Sequence, residues 1–302
     1  MESRQSLIQR RRAVANIGAI TKAMEVVAAI KMRKSQELAL ASRPYAFKVL
    51  ELLHKLSRFA SLETKFTVKR PVKKTLVVVM TSDRGLIGSF NTQVLRSLER
   101  FQDKGHYFAA VGRKAEAYLL RKNLPVAASF HGFGDFVKVS EIKPLYEFVL
   151  AGFEKGDWDR VVTLSMHFRT ALQQEVLTRE ILPMEVENIG RTVQEIIPEE
   201  GRWAELRKEV GLPARELDYL FEPSPGELLE NLIPHLLKMQ LYHLVLEANA
   251  SEHSARRVAM KNASDNAGDL LKELTLRYNK ARQAAITNEL IEIVSTKSAI
   301  EK

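Results

Sequence analysis

The segment Thr81-Ser82-Asp83-Arg84-Gly85, directly after the β-branched run KKTLVVVM, is the stretch whose residue types and position best suit catalysis. Open α/β sheets bind ligands at the carboxyl ends of their strands, and this loop would set a carboxylate and a guanidinium there. No second carboxylate or base in a recognisable motif accompanies Asp83. The simpler reading has Asp83 and Arg84 pairing with or capping neighbouring backbone, while Gly85 and Gly88 supply turn geometry. Other chemistry lacks its residues. The chain contains no G-x-x-x-x-G-K-[ST], G-x-S-x-G, H-E-x-x-H or G-x-G-x-x-G. Zero cysteines remove disulfide, zinc-thiolate and thiol chemistry. Its seven histidines are scattered, and His235, His243 and His253 do not share one helical face at ligand spacing. No cofactor and no metal is expected.

Charge points to partners instead. A net charge of +9 implies an acidic one, which composition leaves open as nucleic acid, an anionic membrane surface or an acidic protein. The basic residues gather near the N-terminus as Arg10, Arg11, Arg12, Lys22, Lys31, Arg33 and Lys34. A solvated helix face accounts for such a pattern. Base stacking would need aromatic residues interleaved with the basic ones, and none are, so an acidic protein fits better than nucleic acid.

These residues must be positioned by three kinds of segment. Residues 7–56 carry apolar positions at three- and four-residue steps, among them Val14, Ile17, Met24, Val27, Ala28, Met32 and Leu38, and read as a helix roughly 75 Å long with a bend near Pro44. The middle alternates. Strands are expected at 73–83, 106–112, 126–130, 160–169 and 174–184, the last pairing back antiparallel, with helices at 91–104 (capped by Asn91), 113–123 and 140–153. The final stretch contains one proline, Pro234, after its first turns and reads as a single helix of about 110 Å, too long to pack inside its own domain. Its Ala-rich stripe runs through Leu241, Val245, Ala248, Ala255, Ala259, Ala263, Ala267, Leu270, Leu274, Tyr278, Ala281 and Ala285. The mean step of about 3.7 is nearer a straight helix than a strict heptad.

The expected organisation is therefore an N-terminal coiled-coil helix at 1–57, a central α/β domain at 73–187, a variable connection at 188–225 with a short helix near 203–210, and a C-terminal coiled-coil helix at 226–302. Pairing the terminal helices antiparallel buries both stripes. The fold class is α/β: a long antiparallel coiled coil plus a central Rossmann-like domain. No unbroken run of eighteen apolar residues suggests a membrane span, and the polar N-terminus does not read as a signal peptide, so a cytoplasmic protein is expected.

Two segments carry a family resemblance. AITKAMEVVAAIKMRKSQ (Ala19–Gln36) and ASEHSARRVAMKNASDNAGDLLKELTLRYNKARQAAITNELIEIVS (Ala250–Ser295) resemble the terminal helices of the gamma subunit of F-type ATP synthase, and TSDRGLIGSFN (Thr81–Asn91) is similar to that family's strand-turn motif. The resemblance implies a non-catalytic central-stalk rotor that turns inside a ring of three alpha and three beta subunits. Its α/β domain would sit near the epsilon subunit and the c-ring. ATP chemistry would belong to alpha and beta, and the coupling ion would be H⁺ or Na⁺. Carried over by motif, Arg282, Gln283 and Thr287 would contact a catch loop of beta, and Met24, Lys31, Arg33 and Lys34 would meet its acidic lever near the collar. The implied location is the cytoplasmic face of a bacterial inner membrane, as a peripheral protein without direct contact to nucleic acid.

Departures from the family pattern are local. Gly18-Ala19 stands where a polar pair is usual, and Ile87, Ser89 and Phe90 replace the usual Cys, Gly and Leu. The cysteine-bearing insertion of the chloroplast form is missing, so its thiol control is not expected, and no transit peptide is seen, which favours a bacterial protein. Two other classes stay open on residues alone: a basic coiled-coil scaffold or nucleic-acid binder, and a small enzyme acting at Asp83.

Overall fold

The computed structural model describes residues 3–41, 52, 63–101, 103–170, 173–184, 222 and 224–300. Expectations for the continuation of the first helix past Ala41, its bend at Pro44, the connection at 188–225 and the short helix near 203–210 lie outside the described residues.

The elements run α1 (Arg4–Ala41), β1 (Thr75–Met80), α2 (Phe90–Ser97) with a 3-10 turn (Leu98–Phe101), β2 (His106–Val111), α3 (Arg113–Arg121), β3 (Val126–Phe130), α4 (Lys143–Lys155), β4 (Arg160–Phe168), β5 (Gln174–Leu182) and α5 (Pro225–Ile300). The chain divides into two compact units. One comprises Met1–Ala28 with Arg256–Lys302, and the other Ala29–Ala255.

In the larger unit the strands lie in the order β3-β2-β1-β4-β5. All neighbours are parallel except β4 and β5, which pair antiparallel. Apolar after Thr75, β1 is central and buried on both faces, as its Leu-Val-Val-Val run requires. Alternation then divides the core. Leu76, Val78 and Met80 point to the layer holding α4 and the first turns of α5, and Val77 and Val79 to the layer holding α2 and α3. Asp159 fixes the start of β1 beside β4 by accepting the Lys73 and Lys74 N–H groups at 2.9 and 3.0 Å. The Lys73 N–H, followed by that of Lys74 and the nearby positive charges, holds this carboxyl below its ordinary value against a smaller opposing effect of burial. Trp158, buried against α4, donates its indole N–H to Val149 O at 3.0 Å and fills the notch left by Gly152.

In the smaller unit α1 and α5 pair antiparallel. The Arg11 guanidinium lies 5.0 Å from the Tyr278 ring centre, and a Cβ added at Gly18 would sit 3.4 Å from Ala267 Cβ, so advancing along α1 means retreating along α5. Leu7, Thr21 and Ala28 are buried on α1, with Val14 half-buried between them, a seven-residue spacing. On α5, Met260, Ala267 and Leu274 are buried and Ala281 half-buried at the same spacing, with Leu271, Tyr278 and Ala285 half-buried in the alternate row. This is a heptad seam, which supercoils left-handedly.

The expected stripe is corrected in three places. Ile17 and Val27 lie outside the seam, Ile17 being 53% exposed, and Gly18 and Thr21 take its inner positions. Leu270 is 40% exposed and its neighbour Leu271 turns inward. The step is 3.5 rather than 3.7. Where the helices approach closely, at Gly18 and Ala267, two small residues face each other, and Ile17 and Val27 lie on the outer side. Asn91 is also corrected as a helix cap. Ser89 occupies the N-cap of α2 without a side-chain bond, and the Asn91 amide bonds Ser82 instead.

Candidate functional site

The loop after β1 is held by its own side chains. Asp83 accepts the Arg113 N–H through Oδ1 and the Gly132 N–H through Oδ2, each at 2.9 Å. Thr81 Oγ1 accepts from Ala115 N–H at 2.8 Å. Ser82 donates its backbone N–H to Asn91 Oδ1 at 3.1 Å and its hydroxyl to Arg84 O at 2.6 Å. Gly112, with φ of +93°, brings Thr81 O against the start of α3 so closely that a Cβ would lie 2.2 Å from it. Both Asp83 oxygens are thus engaged by backbone donors from two other segments, and the structural reading of this loop holds over an enzymatic one. Among the described residues no group of His, Cys, Asp and Glu could hold a metal ion.

The smaller unit presents a different surface. On α1, Ile17, Ile20, Val26 and Val27 are exposed, and on α5, Ile286, Leu290, Ile291, Ile293 and Val294 are exposed as well. So many exposed large apolar side chains mark a protein-contact surface. Although α1 holds no unbroken run of eighteen apolar residues, Arg4–Ala39 contains an 18-residue window of mean hydropathy 1.5, of which 6% is buried, and so is long and apolar enough to cross a membrane by length and composition alone. The cause is that α1 carries Ile17, Ile20, Val26 and Val27 on its outer side as well as apolar residues in the seam.

Arg282, Gln283 and Thr287 are exposed on α5, and the Thr287 hydroxyl donates to Gln283 O at 3.0 Å. Met24 is half-buried on α1. Arg33 and Lys34 are exposed and share Glu37, at 3.3 and 4.0 Å. Lys31 is engaged within the larger unit, its ammonium 2.5 Å from Asp135 Oδ2.

Sequence reasoning missed the polar contacts of α5. Glu247 is buried against Arg179 of β5, whose Nη1 donates to Oε2 at 3.0 Å, and against His167 Nδ1 of β4. Burial pushes the Glu247 carboxyl up, but the charges and hydrogen bonds of Arg179 and His167 outweigh it and hold the carboxyl below its ordinary value. Further along, Asn249 donates to Gly134 O at 2.9 Å, Ser251 to Met166 O at 3.3 Å, and His253 Nε2 lies 3.1 Å from Asp135 Oδ1. The signal in the sequence is faint: Glu, Asn, Ser and His at alternate positions just after the apolar run LVL, and Asp135 close to two glycines in HGFGD.

Comparison with known proteins gives a consistent family. The ATP synthase family profile matches residues 3–300. The chain is 38% identical over 310 residues to the ATP synthase gamma chain of Roseiflexus castenholzii, covering 99% of each. Among solved structures, it is similar to a chain of the Euglena gracilis mitochondrial ATP synthase in rotational state 3, with a TM-score of 0.65 and 20% identity over 98% of this chain and 94% of that one. A chain of the central stalk and c-ring structure of the Tetrahymena thermophila mitochondrial ATP synthase matches with a TM-score of 0.57 and 25% identity, over 81% of this chain and 99% of that one.

Proposed function

The chain belongs to the ATP synthase gamma-chain family, and from that premise we infer how its residues serve a rotor. It is the central-stalk subunit and carries no catalytic site of its own. The observation that carries the mechanical reading is the antiparallel pair of α1 and α5, with a heptad seam inside and further large apolar residues left on its outside. An exposed apolar shaft suits a ring of surrounding subunits. Nondirectional apolar contact lets a surface slide past successive neighbours at nearly constant free energy. The proposed neighbours of the shaft are three alpha and three beta subunits, with epsilon and the c-ring against the α/β domain. In this arrangement ion flow through the membrane sector turns the shaft, and the turning shaft forces each beta subunit in succession through substrate binding, ATP formation and release.

Directional contacts are assigned to a few exposed side chains. Arg282, Gln283 and Thr287 are proposed to meet the catch loop of beta, where guanidinium and amide groups make hydrogen bonds that break and re-form as the shaft turns. Met24, Arg33 and Lys34 are proposed to face the acidic lever of beta, with Lys31 contributing from its ion pair with Asp135. Exposed pairs contribute only about 0–1 kcal/mol each, which suits contacts that must not stall rotation. The proposed location is the cytoplasmic face of a bacterial inner membrane, attached through the complex rather than by insertion of α1.

Mixing the purified chain with alpha and beta subunits tests this reading. The chain alone should hydrolyse no ATP, and the mixture should yield a stoichiometric assembly that does. An isolated chain that fails to enter such an assembly, or one whose own turnover is abolished by Asp83→Ala, would overturn it.

A further inference from the structure

The larger unit holds α5 in two different ways along its length. Its first turns pack through apolar side chains such as Leu229, Ile233, Leu237 and Leu241, all buried in the layer on one face of the sheet. From Glu247 to His253, in the last turns before the unit ends at Ala255, polar contacts to three elements replace them. Glu247 and Ser251, four residues apart, form one row that bonds the sheet: Glu247 to His167 and Arg179, and Ser251 to Met166 O. Asn249 and His253, also four apart, form a second row that bonds the loop between β3 and α4: Asn249 to Gly134 O, and His253 to Asp135 Oδ1. The same loop takes a matching pair from α1, with Lys31 Nζ on Asp135 Oδ2 and Ser35 Oγ donating to Asp135 O at 3.2 Å.

We propose that these two rows form a spline, a set of directional contacts that fixes the rotational register of α5 and α1 on the α/β domain so that torque passes between them without slip. The inference rests on the rotor reading above and adds the residues through which the load crosses. Apolar packing alone resists rotation about a helix axis weakly, because one branched side chain replaces another at little cost. Hydrogen bonds and ion pairs fail within a fraction of an ångström and a few tens of degrees. In a helix a rotation of one residue carries both rows away from their partners together, because members spaced four apart share a face. Buried polar groups specify register by the same logic in other helical assemblies. Asp135 serves both helices, so the loop couples α1 to α5 as well as to the sheet.

The test uses the complex reconstituted in vesicles with its membrane sector, and first requires that the parent chain assemble with alpha and beta. Failure at that step would defeat the rotor reading and leave the spline without a subject. Two variants then address the two rows: Asn249→Ala with His253→Leu for the loop, and His167→Leu with Arg179→Met and Glu247→Leu for the sheet, the latter keeping the site filled with apolar volume. ATP hydrolysis by the complex without an ion gradient meets little load, and should stay at the parent rate in both. ATP-driven ion pumping against an imposed gradient meets the full load and should fall severalfold in each, and further when they are combined. Loss of hydrolysis and pumping in the same proportion would overturn the spline in favour of a purely structural role. So would unchanged pumping against the gradient.

Discussion

Replacing Glu247 by Gln isolates the buried charge cluster from everything around it. The substitution preserves shape but leaves the Arg179 guanidinium, 7% exposed, beside a neutral amide in a site from which water is excluded. Removing one partner of a buried pair costs about 3–5 kcal/mol, because the remaining charge is uncompensated. At roughly 2–4 °C per kcal/mol for a domain of this size, the melting temperature of the isolated chain should fall by roughly 6–20 °C. Replacing the whole cluster, with His167→Leu, Arg179→Met and Glu247→Leu, removes both the attraction and the desolvation cost, and should return stability to within about 1 kcal/mol of the parent. The pH dependence carries a sign. The folded Glu247 carboxyl titrates below its ordinary value, so its contribution is present above the unfolded pKa and is lost as pH falls through the folded one. The parent should therefore lose more stability than the apolar triple variant as pH is lowered from about 7 toward 4 and below. Calorimetry of the three chains across that range is the assay. A Glu247→Gln chain melting within about 2 °C of the parent, or a triple variant as unstable as the single one, would refute the reasoning.

Gly152→Ala places a Cβ 1.9 Å from the Trp158 ring, whose indole N–H is fixed on Val149 O, so the chain should lose at least about 1–3 kcal/mol by urea titration, as overpacking does. Gly18→Ala has the opposite sign: its Cβ would meet Ala267 at 3.4 Å, ordinary contact distance, and removing a helical glycine should stabilise the paired helices by about 0.5–1 kcal/mol, read as slower hydrogen exchange in both. Arg282→Ala with Gln283→Ala should lower turnover of the assembled enzyme with little change in the melting point of the isolated chain, since both side chains are exposed; unchanged turnover in a fully assembled complex would remove their proposed role.

The α/β alternation was legible because the strands are short apolar runs, β-branched in β1 and β4, closed by turns, and even the antiparallel return of β5 follows from the brief link after Phe168. The family resemblance rested on segments where residue type is tied to the shaft. The inner face of that shaft was harder to read. Hydropathy ranks Ile17 above Gly18 and cannot separate Leu270 from Leu271, yet Gly18 and Leu271 face inward while Ile17 and Leu270 lie outside. The polar rows on α5 were out of reach for another reason. Glu247 meets residues 68 and 80 positions away, and Lys31 meets one 104 away, and no local periodicity encodes such partners.

Asp83 gives the α/β domain an unusual thermodynamic character. In a nucleotide-binding domain of similar topology, the strand ends and the start of the next helix are completed by an anion from solution, so stability rises and falls with its concentration. Here the anion is tethered to the chain, lies against the N–H groups of Arg113 and Gly132, and is present at an effective concentration that no metabolite pool alters. A loop completed by its own chain in this way should keep the same stability whether ATP is abundant or absent.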